Sequence, residues 1–441
     1  MKNGDWRSIY KDKIVTSTQA SQAIVSNDAI VTSEIYGIPY AFLQSLFLRG
    51  QELTNVRIYT AWVTQQLKGY NSTLNGHIDL YSEFMGPCER QYVSEGCNLS
   101  YIPVHYSDWT RSIMYMGEGR VVAAVGTPPD EEGMISFGPC PVDVDLIDGS
   151  RLVIVQVNEH MPYVYGEGVR IPAEKVDMII DYSEKLPVSP PKKDEHIDPL
   201  DKKIGEFILD RIPDGACIQL GVGKLGSAIG QMLRSKKHLG IHSEMFSSEM
   251  IDLIICGAVD NSMKNVCPGI SVYGFAAGTQ KILDFVDGNK ALACRPFSWV
   301  NDPRVIAKID NFVSVNSALQ VDLTGQVCAE SFGPRQYSGS GGQSDFVRGA
   351  KWSKGGLSFI ALPSTRTDKG GRLISKISCV LPAGSAVTTT RTDVQFIVTE
   401  YGVADLRNEP ICERVRKLIA IAHPYFREQL LLDARKAGLL I

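Results

Sequence analysis

The chain has 441 residues, of which 44% are hydrophobic and 21% are charged, and its formal net charge is -4. This is globular composition, and we expect two domains because single cores seldom grow past about 300 residues. The weak negative charge excludes the strongly basic class of nucleic-acid-binding proteins. No apolar run reaches the length of a membrane span, and the first residues lack the apolar core of a secretory signal, so we expect neither membrane insertion nor export.

The ten cysteines and seven histidines are scattered along the chain. No two cysteines have Cys-x-x-Cys spacing, so the sequence indicates neither a zinc site nor a redox motif. Several cysteines, such as Cys256, lie in apolar runs, which is typical of buried reduced thiols in a cytoplasmic protein. We therefore expect no metal and a cytoplasmic location.

The first part of the chain alternates short apolar runs with amphipathic segments. Residues 29–32, 121–125 and 152–157 predict strands, and residues 41–46 predict a helix. The strand runs are apolar on both faces, which suits a parallel sheet covered by helices. The pattern predicts an α/β fold.

A proline-rich and then charged stretch predicts a linker over residues 187–199. Prolines remove backbone donors and favour extended chain, so both helices and central strands end at such a stretch. The predicted domains are residues 1–186 and residues 200–441.

The second domain opens with helical spacing over residues 204–212 and a strand over residues 216–220. A glycine-rich turn and a second helix follow, and the apolar stripe of that helix comprises Leu225, Ala228, Ile229, Met232 and Leu233. A strand is also predicted from Val394 to Val398.

The turn Gly221-Val222-Gly223-Lys224-Leu225-Gly226 has the spacing G-x-G-x-x-G, and Glu244 follows 23 residues after Gly221. One interpretation is a dinucleotide fingerprint with its ribose-binding acid. A second is another anion or thioester site, because glycines admit a ligand to the backbone and a helix N-terminus offers free N–H groups. A third is a structural turn. The spacing alone leaves all three open.

Glu244 ends the short predicted strand Leu239-Gly240-Ile241-His242, at the kind of edge where ligand crevices form in α/β sheets. Small and apolar neighbours would desolvate its carboxylate and make it a better nucleophile. The alternative is a solvated glutamate or one that caps the next helix.

A second glycine cluster covers residues 338–346. Its amides, with Gly341 and Gly342 as candidates, could align on an oxyanion. The alternative is a flexible surface loop. The polar run over residues 386–391 is either a β-rich edge of the fold or part of a functional site.

Several motifs taken together resemble the acetyl-CoA hydrolase/transferase family, and within it the 4-hydroxybutyrate and butyrate CoA-transferases. They are Gly126-Thr127-Pro128-Pro129-Asp130, Asn158-Glu159-His160-Met161-Pro162, Leu220-Gly221-Val222-Gly223, Leu239-Gly240-Ile241-His242-Ser243-Glu244-Met245, the run from Gly339 to Ala350, Thr399-Glu400-Tyr401-Gly402-Val403-Ala404 and Ile421-Ala422-His423-Pro424. Ordered matches along nearly the whole chain are far more specific than any one motif.

The resemblance implies two similar open α/β domains, as in class I CoA-transferases, with the active site between them. It implies that Glu244 is the nucleophile and carries CoA as a glutamyl thioester in a ping-pong reaction. It places coenzyme A against Gly221, Val222, Gly223, Lys224 and Leu225, and against Gly341, with Gly342 as a further candidate. Acyl-CoA and a short carboxylic acid are the implied substrates, no cofactor is implied, and a homo-oligomer (a dimer or a tetramer) is expected.

Alternative functions stay open from the sequence. An acyl-CoA hydrolase would use the same glutamate with water as acceptor. An NAD-dependent oxidoreductase would use Gly221, Gly223, Gly226 and Glu244, and an acyl-CoA sensor would bind without exchange. Acetate, butyrate, 4-hydroxybutyrate, succinate and itaconate are all possible acids.

Overall fold

The structure is a computed structural model that describes residues 5–116, 119–190 and 197–440. In chain order its helices are α1 (Trp6–Ile9), α2 (Ser17–Gln22), α3 (Tyr40–Leu48), α4 (Pro87–Ser94), α5 (Trp109–Met114), α6 (Pro199–Leu209), α7 (Lys224–Met232), α8 (Ser248–Ile255), α9 (Gln280–Val286), α10 (Phe297–Val300), α11 (Pro303–Ile306), α12 (Gln343–Trp352), α13 (Ile411–Ala420) and α14 (Pro424–Lys436). Its strands are β1 (Ile14–Val15), β2 (Ala29–Glu34), β3 (Val56–Ala61), β4 (Ile78–Ser82), β5 (Leu99–Tyr101), β6 (Val121–Gly126), β7 (Met134–Ser136), β8 (Leu152–Val157), β9 (Arg170–Pro172), β10 (Met178–Asp181), β11 (Cys217–Leu220), β12 (Gly240–Phe246), β13 (Ser271–Ala276), β14 (Leu292–Cys294), β15 (Phe312–Ser317), β16 (Gln320–Asp322), β17 (Val327–Cys328), β18 (Ser331–Phe332), β19 (Arg335–Gln336), β20 (Leu357–Ala361), β21 (Thr365–Thr367), β22 (Leu373–Ser375), β23 (Ile377–Ser378), β24 (Phe396–Thr399) and β25 (Gly402–Asp405).

The described residues form two compact units. The first holds residues 5–190 together with Val272–Trp299, and the second holds residues 197–271 and 300–440. The change of unit falls within the predicted linker 187–199, of which residues 191–196 lie outside the described residues.

The segment Val272–Trp299 belongs to the first unit, although the sequence analysis assigned all of residues 200–441 to the second domain. Backbone hydrogen bonds hold the segment there. Ala276 N–H donates to the carbonyl of Pro139 at 2.8 Å, and Cys294 N–H donates to that of Tyr165 at 2.8 Å. These long-range pairings leave no mark in local composition, so a linker-based division cannot detect them.

The first unit is built on one sheet of eight parallel strands in the order β1-β10-β8-β6-β2-β3-β4-β5. All six residues of β6 and all six of β8 are buried. This confirms the strands predicted from their apolar runs, because a parallel strand covered on both faces needs apolar residues at every position.

Two apolar cores cover the two faces of this sheet. Alternate residues of the same strands enter opposite cores: Ile30 and Ala123 lie in one, and Val31 and Val122 lie in the other. This alternation follows from the two-residue period of a strand. The predicted helix over residues 41–46 is confirmed within α3, whose Phe42, Leu43, Leu46 and Phe47 are buried.

The second unit contains a sheet with the order β12-β11-β15-β20-β24-β25, in which only the last pair is antiparallel. The unit also contains small sheets of β16, β17 and β23, of β18 with β19, and of β21 with β22. Two parallel-sheet units confirm the predicted α/β class. The predicted helix over 204–212 begins earlier, at Pro199, because Asp198 caps it and Pro199 occupies its first position. It also ends earlier, at Leu209.

Candidate active site around Glu244

Strand β12 carries Glu244 near its carboxyl end. Its neighbour β11 runs parallel, with Cys217 opposite Gly240, and continues into the Gly221 turn. Parallel strands bring their carboxyl ends to one edge of the sheet, where open α/β folds bind ligands. The strand extends to Phe246, so Glu244 lies inside β12, and the prediction that the strand ends at residue 242 is wrong by four residues.

Two donors hold the Glu244 carboxylate. Asn301 Nδ2 donates to Glu244 Oε2 at 2.6 Å, and the backbone N–H of Gly342 donates to the same carboxylate. Burial nevertheless raises the pKa of Glu244 from 4.5 to about 7, because the desolvation of the charged form outweighs both hydrogen bonds. The residue is only partly buried, so a ligand can reach it.

Gly342 must lack a side chain because of its closeness to this carboxylate. A Cβ on Gly342 would overlap both Glu244 Oε2 and Asn301 Nδ2. Gly342 is also the N-cap of α12, so the positive end of that helix faces the carboxylate. The structure therefore brings together Glu244 and Gly342, two residues that the sequence analysis named separately.

Gly341 has a different reason to be glycine. Its φ is +52°, in the left-handed region that other residues rarely adopt, whereas an added Cβ would lie 3.8 Å from Glu244 Oε1, an ordinary contact distance. Gly341 thus lies beside the carboxylate, but its backbone conformation imposes the stronger constraint.

His242 is hydrogen-bonded to the backbone next to Asn301. Its side chain is fully buried, and Nε2 lies 2.8 Å from the carbonyl of Val300, which makes Nε2 the donor. Its ring also meets Phe312 and Phe346 edge-on. The histidine of the His-Ser-Glu-Met motif therefore fixes the backbone next to Asn301.

The Gly221 turn leads from β11 into α7. Gly221 N–H donates to the carbonyl of Val315 at 2.7 Å, and Gly223, the N-cap of α7, has φ +121°. A Cβ on Gly226 would overlap the carbonyl oxygen of Gly221. Gly223 and Gly226 are therefore needed for the turn itself, while Val222, Gly223 and Lys224 remain exposed at the sheet edge.

A buried polar network supports this turn, and sequence reasoning did not find it. Gln219 Oε1 accepts from Ser314 Oγ at 2.9 Å and from Asn316 Nδ2 at 3.1 Å, and Gln219 Nε2 donates to Asn316 Oδ1 at 3.2 Å. The parallel register places Gln219 beside Ser314. Asn301 was missed as well, since a single asparagine in Val300-Asn301-Asp302 carries no motif.

In residues 5–116, 119–190 and 197–440 no group of three or more Asp, Glu, His or Cys side chains is arranged to hold a metal ion. Within the same residues, every helix is too short or too polar to cross a membrane.

Comparison with known proteins identifies the class. Residues 1–189 match the acetyl-CoA hydrolase/transferase N-terminal domain, and residues 278–434 match the acetyl-CoA hydrolase/transferase C-terminal domain. The chain belongs to the acetyl-CoA hydrolase/transferase family.

Individual relatives narrow this class. The chain is 38% identical to the butyryl-CoA:acetate CoA-transferase of Anaerostipes caccae over 438 residues, which cover 97% of each protein. It is 37% identical to the 4-hydroxybutyrate coenzyme A transferase of Clostridium kluyveri, with 98% of this chain and 99% of that protein covered. RipA from Yersinia pestis has the same fold, with a TM-score of 0.90 at 34% identity over 99% of this chain and 100% of its own.

These matches confirm the family resemblance and the prediction that the chain is an enzyme of the CoA-transferase class. They do not test the role of Glu244, of the Gly221–Leu225 turn or of Gly341 and Gly342, which stay predictions.

Proposed function

We propose that the protein transfers coenzyme A between short-chain carboxylic acids through a thioester on Glu244. The observation that carries the proposal is the Glu244 carboxylate itself, which is partly exposed, has its pKa raised to about 7 by burial and is held by two donors. A carboxylate is the nucleophile that conserves thioester energy when the acceptor is also a carboxylate.

In the first step Glu244 attacks the carbonyl carbon of the donor acyl-CoA. A bond forms between the glutamate oxygen and the acyl carbon, the C–S bond breaks, and CoA leaves as a thiolate. The thiolate then attacks the glutamyl carbonyl of the mixed anhydride, and the donor acid departs as a carboxylate. The acceptor acid reverses both steps from the resulting glutamyl-CoA thioester.

Asn301 and Gly342 suit the second of these steps. When thiolate adds to the glutamyl carbonyl, negative charge gathers on the oxygen that stays bonded to the glutamyl carbon alone. Asn301 Nδ2 and the Gly342 N–H already converge on the carboxylate and can donate to this oxyanion. Such preorganised donors are typically worth a factor of about 10²–10³ in rate.

Two full-length relatives are named for butyryl-CoA with acetate and for 4-hydroxybutyrate, so we propose acetyl-CoA with butyrate or 4-hydroxybutyrate as the first pairs to test. The enzyme requires no metal, flavin or nicotinamide in this proposal. We further propose a cytoplasmic homo-oligomer, a dimer or a tetramer. Light scattering of the purified protein tests the assembly.

The decisive experiment incubates the protein with acetyl-CoA and butyrate and follows butyryl-CoA by mass. We expect exchange, and borohydride or hydroxylamine treatment after acyl-CoA addition should modify the peptide containing Glu244. Modification of Glu249, Glu400 or a cysteine instead would contradict the mechanism. Loss of acetyl-CoA without formation of butyryl-CoA would favour a hydrolase. Binding of NADH without binding of CoA would favour an oxidoreductase. Binding of CoA esters without turnover would favour a sensor.

A further inference from the structure

The polar run over residues 386–391, for which the sequence left two interpretations, is buried in its middle. Thr388 and Thr389 are buried, whereas the two residues after them are exposed. Thr389 pairs with Val327 of β17 in a single antiparallel bridge. Thr389 therefore belongs to an edge, as one interpretation held, while the side chain of Thr388 has its partners elsewhere.

The loop from Gly339 to Gly342, which we call the glycine loop, carries one of the two donors to Glu244. This donor is the backbone N–H of Gly342. Three of the four residues in the loop are glycines, so the loop has almost no side chains that could pack against its surroundings. Because glycine has more conformational freedom than any other residue, such a loop takes its position from whatever holds its two ends.

Thr388 holds the end of the glycine loop that enters α12. Ser344, in the first turn of α12, donates its hydroxyl to the carbonyl of Thr388. Gln343 Nε2, in the same turn, donates to the hydroxyl of Thr389 at 3.3 Å. Since Gly342 is the N-cap of α12, the buried part of the polar run is tied to the segment that follows the donor directly.

The hydroxyl of Thr388 holds the opposite end of the glycine loop through Glu330. It donates to Glu330 Oε1 at 2.8 Å and accepts from Ala329 N–H at 3.0 Å. Glu330 Oε2 accepts from Gln336 Nε2 at 3.1 Å, and the same Nε2 donates to the carbonyl of Ser338 at 2.8 Å. The carbonyl of Glu330 also accepts from Ser338 N–H at 3.1 Å. Ser338 directly precedes the loop, so this end too is tied to Thr388.

Burial makes the hydrogen bond between Thr388 and Glu330 hard to replace. Both side chains are buried. A buried carboxyl group depends on its hydrogen-bond partners, since water cannot easily take the place of a lost one. A valine at position 388 would keep the volume of the side chain but leave Glu330 short of a donor, and Glu330 would then hold Ser338 less firmly.

We propose that Thr388 is a positioning residue that sets the direction of the Gly342 N–H toward Glu244 by holding both ends of the glycine loop. The inference rests on the proposed function for the value of this donor in the reaction. Thr388 acts through the loop, and a displacement of a catalytic group by about 1 Å can cost roughly a hundredfold in rate. The buried part of the polar run therefore supports the site without contacting the substrate.

Thr388→Val removes the hydroxyl at nearly constant volume. It should lower kcat for exchange between acetyl-CoA and butyrate about 10- to 100-fold and change KM for acetyl-CoA less than about threefold, because the misplaced donor serves the reaction of the bound substrate. Thr388→Ser keeps the hydroxyl and should restore kcat to within about threefold of wild type. Thr390→Val is the matched control, because the Thr390 hydroxyl is exposed and bonds to Thr392 and Asp393, and it should change neither constant.

A double-mutant cycle identifies the donor through which Thr388 acts. Gly342→Ala already displaces the carboxylate, so adding Thr388→Val to it should cost less than about threefold, whereas adding Thr388→Val to Asn301→Ala should keep the full loss. A full loss in the Gly342→Ala background would contradict action through Gly342. Ser344→Ala loosens only the α12 end and should lower kcat at least about threefold, which keeps the test available if Thr388→Val does not fold.

Deuterium uptake by the resting protein separates this inference from the proposed function, since it requires no turnover. Thr388→Val should speed uptake in the peptide that carries residues 339–344 at least about tenfold, and Thr390→Val should not. If the wild type exchanges no acid, the proposed function fails, and faster uptake in Thr388→Val would still support the role of Thr388 in holding the loop. Unchanged uptake, or unchanged kcat in a folded Thr388→Val variant of an active enzyme, would overturn the inference.

Discussion

Two glutamates, one in each unit, have similarly raised pKa values and different surroundings. Burial raises the pKa of Glu89 and that of Glu244 to about 7. Glu89 lies in the first turn of α4, is fully buried, and accepts from the backbone N–H of Val63 at 2.6 Å. Glu244 is partly exposed and accepts from the side chain of Asn301.

The difference shows that a raised pKa alone does not identify a nucleophile. The donors to Glu89 are backbone amides at the start of its own helix and in a neighbouring loop, so its carboxylate joins two segments of the chain. The donors to Glu244 are the Asn301 amide and the Gly342 N–H, and the residue is only partly buried. Access and the type of donor, and not the titration, separate a structural acid from a reactive one.

The largest expected effect is the difference between alanine substitutions of these two glutamates. Glu244→Ala should reduce acid exchange by at least about 10⁴-fold without unfolding the protein, since the covalent step is lost. Glu89→Ala should leave the rate per folded molecule within a few-fold but lower the free energy of unfolding by about 1–3 kcal/mol, because the Val63 amide loses its acceptor. Initial rates and urea unfolding of both variants give the answer. Wild-type exchange by Glu244→Ala would end the proposal.

Substitutions of the two adjacent glycines test which of them holds the Glu244 carboxylate in place. Gly342→Ala should cost about 10²–10³ in kcat, because its Cβ would displace both the carboxylate and Asn301. Gly341→Ala should instead mainly cost stability, about 1 kcal/mol, since φ is +52°. A larger replacement such as Gly341→Val should weaken turnover more than Gly341→Ala does. Equal kinetic losses in the two alanine variants would contradict this distinction.

Glu244 has a side-chain donor, Asn301, whereas the donors to Glu89 are backbone amides. Removing Asn301 tests what this donor contributes. Asn301→Ala should lower kcat about 10- to 100-fold and move the rising limb of the pH–rate profile above pH 7, because a hydrogen bond that lowers the pKa of Glu244 is lost. The profile of kcat/KM, measured between pH 5 and 9, reports this shift. A rate loss without any shift would mean that Asn301 acts on structure only.

The last prediction concerns the dependence of stability on pH. Both glutamates bind a proton more tightly when folded, so each contributes stability that is present below pH 4.5 and is lost as the pH rises through about 7. Relative to wild type, Glu89→Gln should therefore gain up to about 3 kcal/mol between pH 4.5 and 7.5. Glu244→Gln should gain less because Glu244 is partly exposed. Urea unfolding at the two pH values measures both, and a constant difference would refute the shifts.

Much of the fold follows from local sequence. The runs of β6 and β8 predict buried strands because covered parallel strands are apolar at every position, and the stripe of α7 predicts its buried face. The importance of Glu244 came from the resemblance of its whole motif to a family, since local physics favoured a solvated or capping glutamate.

What only the tertiary structure decided involves residues far apart in the chain. Asn301 lies 57 positions from the glutamate it holds, and Gln219 lies 97 positions from Asn316. Gly342 rather than Gly341 meets the carboxylate only because several strands end at one sheet edge. Local patterns report what one segment buries. The partners of a side chain depend on strand order and register, which arise from packing of the whole unit.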